Sequence, residues 1–263
     1  MLSPYVPEDV DTRQLPRILC LHGGGTNAKI FQTQCRVISR RLASDFRLCF
    51  AEAPFESLPG PDVLSVYRDC GPFKAWIRPP MTAQESDSEA VMQTIIRMVE
   101  ADDAQGGCGP WVGILGFSQG AKVAASLLFH QQQNPGFGEE VFGRDLNFGS
   151  LHAGRGPFLS FASSRYGHKF EPMDLLNIPT IHVHGLQDPG LVLHRNLLEQ
   201  FCERSVTRLV EWAGPHRLPI KTADVEAVVR EIFALKSTWE KIIRPSVRGT
   251  RVDSAFDISV IKE

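Results

Sequence analysis

Trp111-Val112-Gly113-Ile114-Leu115-Gly116-Phe117-Ser118-Gln119-Gly120 is the stretch on which the reading of this chain turns. An apolar run of strand length ends in a G-x-S-x-G turn, and Ala121-Lys122-Val123-Ala124-Ala125-Ser126-Leu127-Leu128-Phe129 continues as a helix. Gly116 and Gly120 lack the Cβ atoms that would collide where strand and helix pack across so tight a turn. The serine between them is lifted out of the sheet, with its Oγ above a helix N-terminus. The five-residue pattern alone is common in loops rich in serine and glycine. The strand before it and the helix after it give it the meaning of a nucleophile elbow, with Ser118 as the candidate nucleophile.

A serine nucleophile needs two further elements. One is a pair of backbone N–H groups for the oxyanion of a tetrahedral intermediate. Gln119 follows the nucleophile and supplies the first. The second comes from a loop after an early strand, and here the strand Arg17-Ile18-Leu19-Cys20-Leu21 runs into His22-Gly23-Gly24-Gly25-Thr26-Asn27. Gly24 is the better donor and Gly25 the alternative. The loop matches neither glycine-rich phosphate motif, G-x-G-x-x-G or G-x-x-x-x-G-K-[ST].

The other element is a base held by an acid, in the chain order serine, acid, histidine. Thr180-Ile181-His182-Val183-His184-Gly185 reads as a strand, and Asp188 lies in the turn just past its end. That is where open α/β sheets bind their ligands. Thr207-Arg208-Leu209-Val210-Glu211-Trp212 reads as the next strand, and the loop after it carries His216. Asp188 as a plain turn former and His216 as a solvated loop histidine are the bland alternatives. Asp174 and Glu171 are poorer acids, because their proline-bounded loop precedes the strand. His22 is read as holding the shape of its loop. His182 and His184 share one strand face and form an H-x-H pair, but no further ligands at metal spacing accompany them, so no metal site and no cofactor are expected.

Strands alternate with helices along the chain in the rhythm of a mostly parallel sheet with helices on both faces. The expected architecture is a single-domain α/β-hydrolase fold over residues 15–236, with an N-terminal extension (1–14) and a C-terminal extension (237–263). Expected helices span Ala28 to Ala43, Glu85 to Glu100, Leu191 to Cys202 and Asp224 to Leu235; Phe46 to Ala51 and Leu146 to Leu151 read as further strands. Pro54 to Pro80 carries six prolines and little periodicity. A run of that kind folds over a site or moves. Its Phe55, Tyr67, Phe73 and Trp76 either line an acyl pocket or pin the segment to the core.

With 263 residues, 43% hydrophobic and 22% charged, the chain has an ordinary soluble composition and length enough for one large core. A net charge of −2 gives no argument for nucleic acid or for an anionic membrane surface. No apolar run reaches membrane-spanning length. The first residues hold acids and prolines where a signal peptide needs a basic, then apolar stretch, so a cytoplasmic protein is expected. Of six cysteines, Cys20, Cys35, Cys49 and Cys202 read as small core residues, and Cys70 and Cys108 as loop residues. No C-x-x-C pair supports zinc or redox chemistry.

Leu21-His22-Gly23 with Asn27, Ala51-Glu52-Ala53-Pro54-Phe55, Gly116-Phe117-Ser118-Gln119-Gly120, Gly185-x-x-Asp188 and His216-x-x-Pro219 together resemble the fungal serine hydrolase (FSH) family of α/β-hydrolases. Asp69-Cys70-Gly71-Pro72-Phe73-Lys74-Ala75-Trp76 resembles its branch of discrete polyketide-releasing thioesterases, such as the lovastatin-pathway enzyme. The resemblance runs from about Leu15 to about Leu235. It implies hydrolytic release of an acyl thioester from the acyl carrier domain of a polyketide synthase, in trans, with Ser118, Asp188 and His216 as the triad. Phe117, Phe73 and Trp76 are the candidate substrate-binding residues. Glu52 departs from the aspartate usual in the family, and the Gly23-Gly24-Gly25 run replaces bulkier residues; both bear on pocket shape. A general carboxylesterase of small oxygen esters and a non-catalytic hydrolase-fold binding protein are the competing readings. Arg68, Lys74 and Arg78 are either the basic rim that meets an acidic carrier or solvated surface charges. The oligomeric state is not legible.

Overall fold

The computed structural model describes residues 11–61, 63–78, 85–161 and 174–243. In chain order the elements are β1 (Arg17–Leu21), α1 (Ala28–Gln34), α2 (Arg36–Leu42), β2 (Arg47–Ala51), β3 (Phe55–Ser57), α3 (Val63–Tyr67), β4 (Phe73–Ala75) and α4 (Glu85–Ala104). They continue with β5 (Trp111–Phe117), α5 (Gln119–Gln133), α6 (Phe137–Phe142), β6 (Phe148–His152), β7 (Thr180–Gly185), α7 (Leu191–Phe201), β8 (Thr207–Trp212) and α8 (Thr222–Ile243).

Runs that are apolar without alternation form the middle of the sheet. β1, β5, β6 and β7 are buried at every position, as strands covered on both faces must be. The six strands lie in the order β2-β1-β5-β6-β7-β8, every neighbouring pair parallel. Side chains alternate across the sheet. Leu19 and Leu21 of β1 meet Val91 and Ile95 of α4 and Val123 and Leu127 of α5 on one face. Ile18 and Cys20 meet Phe31, Ile38 and α8's Val225, Val228 and Ile232 on the other. The chain builds outward from β1 to β2 and returns on the opposite side as β5. The strand order therefore reverses between β1 and β5, which opens a crevice at their C-terminal ends.

Three stretches differ most from the sequence expectation, while α4 runs four residues past Glu100 and β6 begins at Phe148. The helix expected over Ala28 to Ala43 is two helices that meet at Cys35, where ψ is −1° instead of a helical value near −42°. No glycine or proline marks the bend; it lets Phe31 and Ile38 both bury against the sheet. The described residues between Pro54 and Arg78 are not structureless. β3 and β4 pair antiparallel, Phe55 opposite Ala75 and Ser57 opposite Phe73, with α3 between them. Three-residue strands are too short to show a period of two. The last helix runs on to Ile243, past the expected domain end at 236. Residues 1–10 and 244–263, most of the two expected extensions, lie outside the described residues, as does Glu171.

Candidate active site

At the end of β5 the backbone turns sharply. Ser118 has φ 54° and ψ −114°, in a region that L-residues rarely occupy. The two flanking glycines make the turn possible. A Cβ at Gly116 would lie 2.3 Å from the Gly120 carbonyl oxygen, and one at Gly120 would lie 2.1 Å from that of Leu21. The Ser118 N–H donates to the His152 carbonyl at 2.9 Å, which ties the turn to β6.

The loops after β7 and β8 are joined by backbone hydrogen bonds, Leu186 N–H to Trp212 O and Gln187 N–H to Gly214 O, both 2.9 Å. That pairing sets Asp188 beside His216. The carboxylate only accepts hydrogen bonds, so the proton between them belongs to His216 Nδ1, 2.6 Å from Asp188 Oδ2. His216 Nε2 is then an acceptor and faces Ser118 Oγ at 3.1 Å. Burial raises the pKa of Asp188, but the N–H of Gly190 (2.7 Å to Oδ1) and the His216 and His194 imidazoles outweigh it and hold the carboxyl below the ordinary range. Asp188 is thus an anion at neutral pH although its side chain is 1% exposed.

The loop from His22 to Asn27 lies across the N-terminus of α5. Gly24 sits so close to Gln119 that a Cβ there would fall 2.5 Å from the amide carbon of the glutamine. The Gly25 N–H donates to Lys74 O at 2.8 Å. The Gly24 N–H has no acceptor among the described residues. Gln119, the first residue of α5, presents its N–H at the helix end that carries partial positive charge.

The segment around Gly71-Pro72-Phe73 straps this loop down. Asn27 caps α1 by accepting from the Ile30 N–H at 2.8 Å, and its amide donates to the Cys70 and Pro72 carbonyls at 2.7 and 2.9 Å. Gln119 Oε1 accepts from the N–H groups of Trp76 and Ile77. Trp76 is fully buried and its indole N–H donates to His22 O at 2.8 Å. This corrects the expectation of Trp76 as a pocket wall. A side chain without exposed surface lines nothing; it pins the strap to the core, as the alternative had it. Phe117 is also buried, its ring 5.0 Å from that of His216 and pressed against Gly23. Phe73 is partly exposed on the strap.

His22 holds the loop from within. Its Nδ1 faces the Gly23 carbonyl at 2.8 Å, and Nε2 accepts from the Ala53 N–H at 3.1 Å. Glu52 Oε1 lies 3.1 Å from the same Nε2. Of the three basic candidates on the strap, Lys74 pairs with Glu56 and Arg78 with Asp87, while Arg68 is exposed. Asp174 is at the surface, bonded to Gln133.

Sequence reasoning missed His194. It lies on α7, and its Nε2 is 3.0 Å from Asp188 Oδ2. No motif signals it. The H-x-H pair is buried instead of gathered on a ligand: His182 bonds Thr180 at 3.1 Å, and burial pushes His182 and His184 down to about 3 and about 4. One atom each of Asp188, His194 and His216 fall within 4.8 Å of one another. Hydrogen bonding already accounts for that spacing. Among the described residues no helix is long and apolar enough to cross a membrane.

Comparison with known proteins gives the family and the fold type. The family model described as "Serine hydrolase (FSH1)" matches residues 12–228. The chain is 49% identical over 249 residues to the probable esterase azaC of Aspergillus niger, covering 93% of this chain and 94% of that one. It is 47% identical over 260 residues to the esterase dbaE of Emericella nidulans, covering 87% and 93%. Among solved structures, Zea mays acyl-protein thioesterase 2 superposes with a TM-score of 0.53 at 14% identity, covering 88% of this chain and 96% of that one. Arabidopsis thaliana SOBER1 gives 0.51 at 19%, covering 84% and 99%. At such identity these two share the fold, the α/β-hydrolase type expected from the elbow. With a family model over most of its length and relatives that are esterases, the chain belongs to the FSH1 family of serine hydrolases and is an enzyme, which sets aside the non-catalytic reading.

Proposed function

We propose that Ser118, His216 and Asp188 are the catalytic triad, and that this serine hydrolase cleaves acyl thioesters, releasing a polyketide chain from a synthase's carrier domain in trans. The observation that carries the triad is the unbroken chain of hydrogen bonds from Asp188 through His216 to a serine on a strained elbow.

The chemistry follows from that chain. As Ser118 Oγ attacks the acyl carbonyl, its proton passes to His216 Nε2. Asp188 holds the Nδ1–H tautomer and stabilises the imidazolium that forms. The N–H groups of Gly24 and Gln119 receive the oxyanion; Gly25 is the weaker candidate because its N–H is already bonded to Lys74. Loss of one such donor costs about 2.7–4 kcal/mol of barrier. The tetrahedral intermediate collapses, and the leaving thiolate takes the proton from His216. Water, deprotonated by the same nitrogen, then attacks the acyl-enzyme and regenerates Ser118. These residues suffice for the cycle without a cofactor.

Thioester over oxygen ester rests on the resemblance of the Gly71–Trp76 strap to the polyketide-releasing branch. The esterase names of the relatives favour a second reading, hydrolysis of small oxygen esters. Both use the same triad. The test is the ratio of kcat/KM for a pantetheine-like acyl thioester over the matched ethyl ester, with Ser118→Ala as the blank. Release from a carrier predicts a ratio well above the intrinsic reactivity difference, growing when the acyl group is loaded on an acyl carrier domain. A ratio at the intrinsic value with fast turnover of simple esters assigns the general esterase. An alanine variant that folds and keeps full activity removes Ser118 as nucleophile.

A further inference from the structure

Asp188 Oδ2 lies between two imidazoles. His216 Nδ1 is 2.6 Å away and His194 Nε2 is 3.0 Å away. The two rings stack, with centroids 5.9 Å apart and planes at 26°. His194 is fully buried. Its other nitrogen, Nδ1, lies 2.9 Å from the Gly154 carbonyl. That carbonyl directly follows Ala153, whose φ of 52° makes it, with Ser118, one of two non-glycine residues in the left-handed region among the described residues. Such a conformation persists only where the surroundings over-determine it. Here it turns the chain at the end of β6 beside the buried ring.

Both nitrogens of His194 therefore face groups that only accept. A neutral imidazole carries one N–H, so one of the two contacts would oppose lone pairs. Both are satisfied only when a second proton lies on the line between His194 and Asp188. The pair titrates as a unit. The charged and titratable groups around His194 are Asp188 and His216, His184 of β7 with its ring 6.0 Å away, and the Arg155 guanidinium beside Gly190. Burial, helped by Arg155, lowers the proton affinity of His194 and outweighs the Gly154 and Asp188 oxygens that raise it, so His194 holds its second proton less readily than a free imidazole.

We propose that His194 is a positioning residue of the hydrolase site: it fixes Asp188 from the side opposite His216 and tempers the negative charge that Asp188 presents to that base. The inference rests on the triad proposed above. Ser118→Ala tests the triad separately, since its result does not depend on position 194. His194→Phe removes both ring nitrogens and keeps a flat ring. His194→Gln keeps a neutral N–H donor. The phenylalanine variant is expected to lose about 10- to 100-fold in kcat, as loss of an outer hydrogen-bond partner does at metal-bound histidines, with KM within about twofold. The glutamine variant recovers much of that loss. In both, the acid limb of the kcat/KM profile moves to higher pH, because the full charge of Asp188 then favours the protonated base. Equal kcat in folded variants, or a fall in kcat with the acid limb unmoved, overturns the proposal. Should neither variant fold, nitrogen-labelled histidine NMR of the intact enzyme decides. The proposal expects Nε2 of His194, the nitrogen that faces Asp188, to carry a proton across the range from about pH 5 to 8. A bare Nε2 throughout that range overturns it.

Discussion

Acidification should destabilise this protein well before its carboxylates titrate, because histidines are buried without charge in the sheet. His152 on β6 and His182 on β7 are each 1% exposed. Burial pushes both down to about 3, with the neighbouring His184 adding in the same direction. The His152 ring shows why. Its Nε2 meets Ser150 Oγ at 3.0 Å, but its Nδ1 is buried without a partner, so the second N–H of an imidazolium would be orphaned. The unfolded chain protonates each histidine near pH 6.5. The folded pKa is depressed, so the stability each contributes is complete above about 6.5 and is lost as pH falls toward 3. At pH 5 each unfolded histidine is protonated and each folded one is not. The loss is then about 2 kcal/mol per residue, or about 4 kcal/mol for the two, with a slope near 2.7 kcal/mol per pH unit. Against a typical total of about 5–15 kcal/mol that is a large share. His184 and His194, whose pKa values are also lowered first by burial, act in the same direction. The assay is urea unfolding at half-unit steps from pH 8 to pH 4.5. His152→Gln and His182→Gln should each flatten the slope near pH 5 by about 1.4 kcal/mol per pH unit. Uptake of fewer than about one proton on unfolding at pH 5 would refute the reasoning.

Three further outcomes are expected. Gly120→Ala should lower the urea midpoint by the equivalent of about 1–3 kcal/mol and depress kcat, because the new methyl meets the Leu21 carbonyl at 2.1 Å and must push α5 off β1; an unchanged midpoint contradicts the tight elbow. Trp76→Phe leaves the buried His22 carbonyl without its donor and should cost about 1–3 kcal/mol in thermal or urea unfolding, with a fall in kcat as the glycine loop loosens. Unchanged stability and turnover would show that the strap does not hold that loop. In native protein a thiol reagent should label Cys70 and Cys108 alone, since the other four cysteines are buried and Cys49 and Cys202 are pushed up to about 12 by burial. Peptide mass spectrometry checks this, and early labelling of Cys20, Cys35, Cys49 or Cys202 counts against it.

What the sequence determined by itself was local. The elbow is one strand, one turn and one helix in succession, and its glycines are needed for contacts within a few residues or with the adjacent strand. Asp188 and His216 were legible because each follows an apolar strand, and parallel strands deliver their C-terminal ends to one edge of the sheet. Tertiary structure decided whatever depends on groups far apart in the chain. Whether the N–H of Gly24 or of Gly25 stays available turned on a carbonyl at Lys74. Trp76 reads as a pocket residue until its indole is found on His22 O, 54 residues away in sequence. The prolines of the strap hid two short strands whose pairing with each other no periodicity announces. His194 carries no motif at all. Its place beside Asp188 depends on the helical turn that separates them and on a Gly154 carbonyl 40 residues earlier. Hydrogen bonds have a reach of about 3 Å and no memory of sequence distance. Patterns along a chain therefore mark where a site's parts begin, and only the packed fold decides which atoms meet.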